Sequence, residues 1–305
     1  MKQMIFHKPV LLKQSVNGLS IKSDGVYVDV TYGGGSHSRE ILKKLSLKGK
    51  LIAFDQDYDT KLNISSSNNF LFISSNFKYL KKFLKVNEIY KVDGVLADFG
   101  VSSHQLNSKH RGFSTRFDGP LDMRMDQNQN FSAKDIINED SEDKLIKLFK
   151  NYGELKNAKQ LASIIGVRRS VAPINSTEQL KSIFSNIIPK KYTNKVLAKI
   201  FQSIRIEVNK ELDAIKVFLN QASEVIAPGG RLVCISYHSL EDRLVKRYIR
   251  DGNFDGNVDT DLYGNKHVPF KKIGPVQIPS SAEIKTNNRS RSAKLRIAEK
   301  LWVIK

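Results

Sequence analysis

Three acids in the first third of the chain stand where ligand chemistry would place them. Asp29-Val30-Thr31-Tyr32-Gly33-Gly34-Gly35 puts an acid and three glycines at the end of a short β-rich run, residues 26–30. A glycine-rich turn after a first strand lets a ligand approach backbone N–H groups and the start of the next helix. Gly33 and Gly35 fit the dinucleotide fingerprint G-x-G-x-x-G, but Ser38 stands where its third glycine belongs. Asp29 suits a cationic ligand end better than a pyrophosphate. S-adenosylmethionine carries an ammonium and a sulfonium and no phosphate; the bland alternative is a plain tight turn. Asp55 closes a second apolar run, residues 51–54. A carboxylate there accepts both hydroxyls of an adenosine ribose, which NAD and S-adenosylmethionine share. Asp98 opens Asp98-Phe99-Gly100-Val101-Ser102-Ser103 at the end of a fourth run, residues 95–97. An acceptor here holds a substrate NH₂ and favours lone-pair density on its nitrogen. Ser102 and Ser103 join Asp98 as candidate catalytic groups, with helix capping as the alternative. Val101 occupies the place of a base-stacking aromatic, so Phe113, Phe117 and Tyr237 are the stacking candidates.

The elements that must position these groups alternate. Apolar runs at 26–30, 51–54, 70–73 and 95–97, three of them closed by acids or glycines, read as strands of a buried parallel sheet. Such a sheet carries its ligands at the carboxyl ends of the strands. Residues 107–130 show no period and are dense in Gly, Asp, Arg and Met; Phe113, Phe117, Leu121 and Met123 argue for an ordered, functional loop. Its Arg111, Arg116 and Arg124 meet RNA or pair with Asp118, Asp122 and Asp126. From Ser132 to Asn209 the reading is helical, with capping-box spacing at Ser132/Asp135 and Ser176/Gln179 and a cap at Ser141. The sheet resumes with an amphipathic helix, the buried run 232–235, a helix over 240–248, loop-rich residues 251–290 and a last strand within 294–304. The fold class is therefore α/β, a Rossmann-like doubly wound sheet built from 1–106 and 210–305, with 107–209 inserted as a loop and helical subdomain.

Composition narrows the partners. The chain has 305 residues, and 50 Lys and Arg against 31 Asp and Glu leave a net charge of +19, which favours a polyanion. A Lys-rich background is the bland alternative. The single cysteine, Cys234, excludes an intrachain disulfide and a cysteine-based zinc site. Charged residues interrupt every apolar stretch, so no membrane span is expected, and the expected location is cytoplasmic. The stretch from Lys285 to Lys305, including Arg291, reads as a phosphate-binding surface. His238 and Glu241 have a spacing open to metal, but no third ligand is evident in the sequence and no metal is expected.

Several strings then occur in order along nearly the whole chain. They are His7-Lys8-Pro9-Val10-Leu11-Leu12, Asp29 through Ser38, Asp98 through Leu106, and Arg111-Gly112-Phe113-Ser114. Asp118-Gly119-Pro120-Leu121-Asp122-Met123-Arg124-Met125-Asp126 and Phe201-Gln202-Ser203-Ile204-Arg205 with Val208-Asn209 follow. Tyr237-His238-Ser239-Leu240-Glu241-Asp242-Arg243 and Arg291-Ser292-Ala293-Lys294-Leu295-Arg296 complete the set. Together they closely resemble the RsmH (MraW) family of bacterial 16S ribosomal RNA cytosine methyltransferases. The resemblance implies a class I methyltransferase fold with a helical insert. It implies methyl transfer from S-adenosyl-L-methionine to the 4-amino group of one cytidine in the decoding region of the small subunit. It places cofactor contacts on Gly34, Gly35, Ser36, His37, Asp55, Phe77, Asp98 and Gln105, beside Asp29. Arg111, Phe113, Arg124, Tyr237, His238 and Arg291 are the expected substrate contacts. Ser36 departs from the family's glycine, and His104 from its proline before Gln105. The expected partner is 16S rRNA in the small subunit, with a homodimer as a further option. A nicotinamide oxidoreductase and a non-catalytic ribosome-assembly factor are the rival readings.

Overall fold

The computed structural model describes residues 9–64, 67–184, 187–258, 260, 264 and 267–302. His7 and Lys8 of the first motif, Ser65 and Ser66 of a polar run, and Lys305 lie outside these residues.

The chain divides into two compact units, residues 1–100 with 212–305, and residues 101–211. The first unit begins with α1 (Leu12–Gly18), β1 (Val26–Asp29), α2 (Ser36–Leu42), β2 (Lys50–Asp55), β3 (Phe70–Ser74), α3 (Leu80–Val86) and β4 (Val92–Asp98). The second holds α4 (Ser103–Asn107), α5 (Ala133–Glu139), α6 (Glu142–Asn151), α7 (Ala158–Val171), α8 (Thr177–Ile183) and α9 (Thr193–Asn209). The first unit then resumes with α10 (Glu211–Val225), β5 (Ile226–Ser236), α11 (Ser239–Asp251), β6 (Phe270–Lys272), α12 (Ser281–Thr286) and β7 (Lys294–Lys300). By this division α4, which the sequence reading placed with the sheet, groups with the helices.

The seven strands form one sheet in the order β3-β2-β1-β4-β5-β7-β6. Neighbours from β3 to β5 run parallel, and β7 runs antiparallel to β5 and β6. This is the doubly wound class I methyltransferase arrangement, and its order reverses between β1 and β4, where open α/β sheets bind ligands. Alternation along the strands sorts the two faces. Val28, Ile52, Phe54, Val95, Ala97 and Cys234 pack with α3, α10 and α11, while Tyr27, Leu51, Leu96, Val233 and Ile235 pack with α1 and α2. Burying each of the larger apolar side chains contributes roughly 1.5–3 kcal/mol before entropy is counted.

Register decides which acids reach the rim. Asp29 of β1 pairs with Ala53 of β2 and Leu96 of β4. Asp55 and Asp98 therefore lie farther toward the carboxyl edge than Asp29. Asp29 is fully buried, whereas Asp98 keeps 21% of its side chain exposed.

The helical unit has its own core, which includes Phe113, Leu121, Met123 and Met125 from the connection that precedes α5. Ser132, Ser141 and Ser176 cap α5, α6 and α8, as their spacing predicts.

Candidate active site

Hydrogen bonds between backbone and side chains shape the edge of the sheet unit. The Asp29 carboxylate accepts from the Ser38 hydroxyl at 2.7 Å through Oδ2 and from the Thr31 N–H at 3.1 Å through Oδ1. The Asp98 N–H donates to the Thr31 hydroxyl at 2.7 Å, tying the end of β4 to the turn after β1. Asp55 Oδ2 accepts from the Gly33 N–H at 2.8 Å, and its Oδ1 from the Asp57 N–H at 2.9 Å. The Arg39 guanidinium donates to the Gly34 carbonyl and to the Ser36 hydroxyl, at 2.9 and 3.1 Å. The serine that replaces the family's glycine is thus part of the clamp on the turn. Gly35 is required there: its φ is +71°, and a Cβ would come within 2.7 Å of the Tyr32 ring.

This geometry corrects the role expected of Asp29. With no exposed surface and both oxygens bonded, it holds Ser38 and Thr31 and does not meet a ligand directly. Asp55 and Asp98 remain at the rim.

Burial pushes Asp29 up to about 6 against its hydrogen bonds from Ser38 and Thr31. It pushes Asp55 up to about 7, with the neighbouring Asp57 and Asp29 adding to the rise. Asp98 is pushed up to about 6 by burial, opposed by His37 and the Tyr237 hydroxyl. Carboxylates poised in this way favour a ligand that brings positive charge and hydroxyl donors. His37 is 6% exposed, with Nδ1 at 3.8 Å from Asp98 Oδ2, and burial lowers its affinity for a proton. Its Nε2 is buried and makes no hydrogen bond among the described residues, which leaves it available to a polar ligand atom. The donor set therefore fits S-adenosylmethionine: carboxylates for a ribose diol and a cation, and no phosphate cradle.

Tyr237 lies in the link between β5 and α11, and its hydroxyl donates to Asp98 Oδ1 at 2.8 Å. His238 caps α11 through Nδ1, and Glu241, fully buried, accepts from the Tyr237 N–H at 2.7 Å. His238 Nε2 lies 3.1 Å from Glu241 Oε1, close by but not hydrogen-bonded to it. Phe77 packs edge-on against Phe218 and tilted against Phe99, with centroids 5.6 and 6.0 Å apart.

The other expected site residues, Arg291 excepted, belong to the helical unit and have defined tasks within it. Ser102 and Gln105 form the capping box of α4, where Ser103 is the first residue. Arg111 is 2% exposed and donates to the Arg124 and Met125 carbonyls. Arg124 grips Asp122 through two hydrogen bonds of 2.9 and 2.7 Å and reaches the Gln129 carbonyl at 2.6 Å. Phe113 is 6% exposed within the core. Of the two readings of this loop, the internal one describes the contacts seen: Arg111 and Arg124 bond within the loop, and Phe113 packs in the core of the helical unit. Arg291 is exposed, whereas Arg296 and Lys294, from the same basic stretch, are paired with Asp242.

Sequence reasoning missed the Thr31 bridge, the Arg39 clamp and the Tyr237–Asp98 bond. The first had a readable signal, since an acid two residues before a threonine is the spacing of an Asx turn. The last joins residues distant in sequence and had none.

Comparison with known proteins adds the lineage. The sequence pattern of the MraW methylase family matches residues 4–301. Proteins named ribosomal RNA small subunit methyltransferase H from Christiangramia forsetii and Flavobacterium johnsoniae are 57% and 54% identical, each over 98% of this chain and 99% of their own length. The one from Bacteroides thetaiotaomicron is 50% identical over 98% of each chain. With a match that spans nearly every residue and a sheet edge built to suit a methyl donor, the chain belongs to the MraW methylase family.

Proposed function

We propose that this protein methylates the 4-amino group of one cytidine in the decoding region of 16S rRNA, using S-adenosylmethionine. The observation that carries the reading is Asp98. It is held at the carboxyl end of β4, one oxygen is taken by Tyr237, and Oδ2 makes no hydrogen bond among the described residues. An acceptor so placed takes a hydrogen bond from an exocyclic amine and leaves the nitrogen lone pair free to attack. When bound, the cofactor supplies a methyl group already activated by its sulfonium, so positioning outweighs acid–base strength. Asp55 is the partner for the ribose hydroxyls, the turn from Gly33 to Gly35 gives close backbone approach, and His37 Nε2 offers a further polar contact. The helical unit and exposed basic residues such as Arg291 would read the shape of folded RNA, with the target base turned out of its stack. Ribosome assembly places this work in the cytoplasm.

Labelled methyl transfer to small ribosomal subunits, with the product mapped by mass spectrometry, tests the proposal. The expected result is a single 4-methylamino cytidine in the decoding region. Asp98→Ala is expected to cut transfer at least about 100-fold while binding to subunits persists. No transfer to subunits or to naked rRNA, with the cofactor shown to be bound, would overturn the proposed substrate. Tight NADH binding without S-adenosylhomocysteine binding would overturn the cofactor and the activity together.

A further inference from the structure

The Tyr237 side chain faces the site but is committed inward. Its hydroxyl donates to Asp98 Oδ1, and its ring covers Gly100, where a Cβ would lie 3.6 Å from Cδ2. The backbone behind it is held with the same care. Glu241 Oε2 accepts from the N–H groups of Tyr237 and His238, at 2.7 and 3.3 Å, and the Glu241 N–H returns to His238 Nδ1. A fully buried glutamate thus fixes the link, the link fixes the phenol, and the phenol fixes one oxygen of Asp98. A base-stacking role, the use that the sequence suggested for Tyr237, leaves this chain of bonds without a purpose.

We propose that Tyr237 is a positioning residue for methyl transfer: by holding Asp98 Oδ1, its hydroxyl makes Oδ2 the one oxygen that meets the target amine. The inference rests on the reading of Asp98 given above. In the step, the amine nitrogen forms its bond to the methyl carbon as the bond from that carbon to sulfur breaks. The sulfur keeps the electron pair and becomes a neutral thioether. The nitrogen then holds one proton too many, which passes to Asp98 Oδ2 and on to water. A rotating carboxylate would offer either oxygen in varying directions; one locked by a phenol donor offers one. The same hydrogen bond favours the ionised acid, opposing burial and the nearby Asp29 and Glu241, while His37 acts in the same sense as Tyr237. Glu283 is the other acid facing Tyr237, whose own hydroxyl is held well above its ordinary value and stays protonated as a donor.

The test compares Tyr237→Phe, Tyr237→Leu and Asp98→Asn in the full chain, on small ribosomal subunits, across pH 5.5 to 8.5. Tyr237→Phe keeps the ring and removes the donor. It is expected to lower kcat about ten-fold at pH 7, with KM for subunits and cofactor affinity within about two-fold of the parent. The acid limb of its rate profile is expected to move up by about one pH unit, because Asp98 loses one hydrogen bond to its charged form. A merely structural tyrosine would lower the melting temperature and scale the rate equally at every pH. Tyr237→Phe with parental kcat and pH profile, beside an inactive Asp98→Asn, would overturn the inference and leave the Asp98 reading in place. Parental behaviour in Phe together with a defective Leu variant would assign the ring to stacking instead. An Asp98→Asn variant with full activity would overturn the Asp98 reading and this inference with it.

Discussion

At the residue scale, the paired question for each acid is what holds it and what it still offers. Asp29 offers nothing outward, because both its oxygens serve the turn. Asp55 and Asp98 each retain acceptor capacity at the rim, and both are protonated more readily than an ordinary aspartate. The sign of the resulting pH dependence follows. Between the unfolded value near 4 and the folded values of about 6 to 7, the native ligand-free protein binds more protons than the unfolded chain. Its stability is therefore expected to fall as pH rises through that window, which thermal melts at pH 5.5 and 7.5 would show. Cofactor affinity should run the other way, since a cation and a diol both need the ionised acids. Calorimetry at the same two pH values is expected to find tighter binding at pH 7.5 and proton release at pH 5.5. An affinity that stays flat across the window would remove Asp55 and Asp98 as the responsible groups. Asp55→Asn is expected to weaken binding and flatten its pH dependence.

At the element scale, the informative piece is the connection over residues 111–131. Its Gly, Asp and Arg content reads as a nucleic-acid loop, yet most of it is internal architecture. Asn209 of α9 ties it down, donating to the Met123 carbonyl at 2.8 Å and accepting from the Met125 N–H at 2.7 Å. Gly112 turns at φ +70°, and a Cβ there would sit 2.3 Å from the Pro120 carbonyl oxygen. Gly112→Ala is thus expected to destabilise the helical unit by about 3 kcal/mol, seen as a lower urea midpoint and early protease cleavage within the connection. Asn209→Ala removes the two tethers and is expected to cost about 2 kcal/mol, with the same cleavage pattern. Protease resistance equal to the parent's in both variants would contradict the tethering role. The capping boxes at Ser132 and Ser176 were legible because caps act within four residues. By contrast, α1 and β6 were not legible. The first is preceded by Leu11, an N-cap residue in a left-handed conformation without a side-chain cap, and the second has three residues, Phe270, Lys271 and Lys272, too few to show a period.

At the scale of the whole molecule, the net charge of +19 sets the expected behaviour toward RNA. Binding to small subunits should weaken steeply with salt as displaced counterions become less favourable to release. Individual cations contribute unequally, and their pairing within the protein says which. Arg291 is exposed, so Arg291→Ala is expected to lower the slope of log affinity against log salt by about one. Arg296 is held on Asp242 by hydrogen bonds of 2.7 and 3.1 Å, so Arg296→Ala should leave that slope unchanged and lower the melting temperature. Equal slopes for the parent and Arg291→Ala would take Arg291 out of the RNA surface.

The sequence by itself determined what acts over short range or by periodicity. The apolar runs marked the strands, the serines marked the helix starts, and the spacing of Asp29, the glycines, Asp55 and Asp98 marked one edge of the sheet as the candidate site. The ordered motifs pointed to the family, and the match over residues 4–301 bears that out. Tertiary structure alone decided which of these groups face outward. Pairing Asp29 with Ala53 and Leu96 sinks it below the rim and leaves Asp55 and Asp98 upon it. Folding also turned three expected RNA contacts, Arg111, Phe113 and Arg124, into the inner bracing of a loop, and set the Tyr237 hydroxyl against an acid 139 residues away. Strand register and long-range hydrogen bonds depend on how the whole chain packs, and no local window of sequence contains both partners.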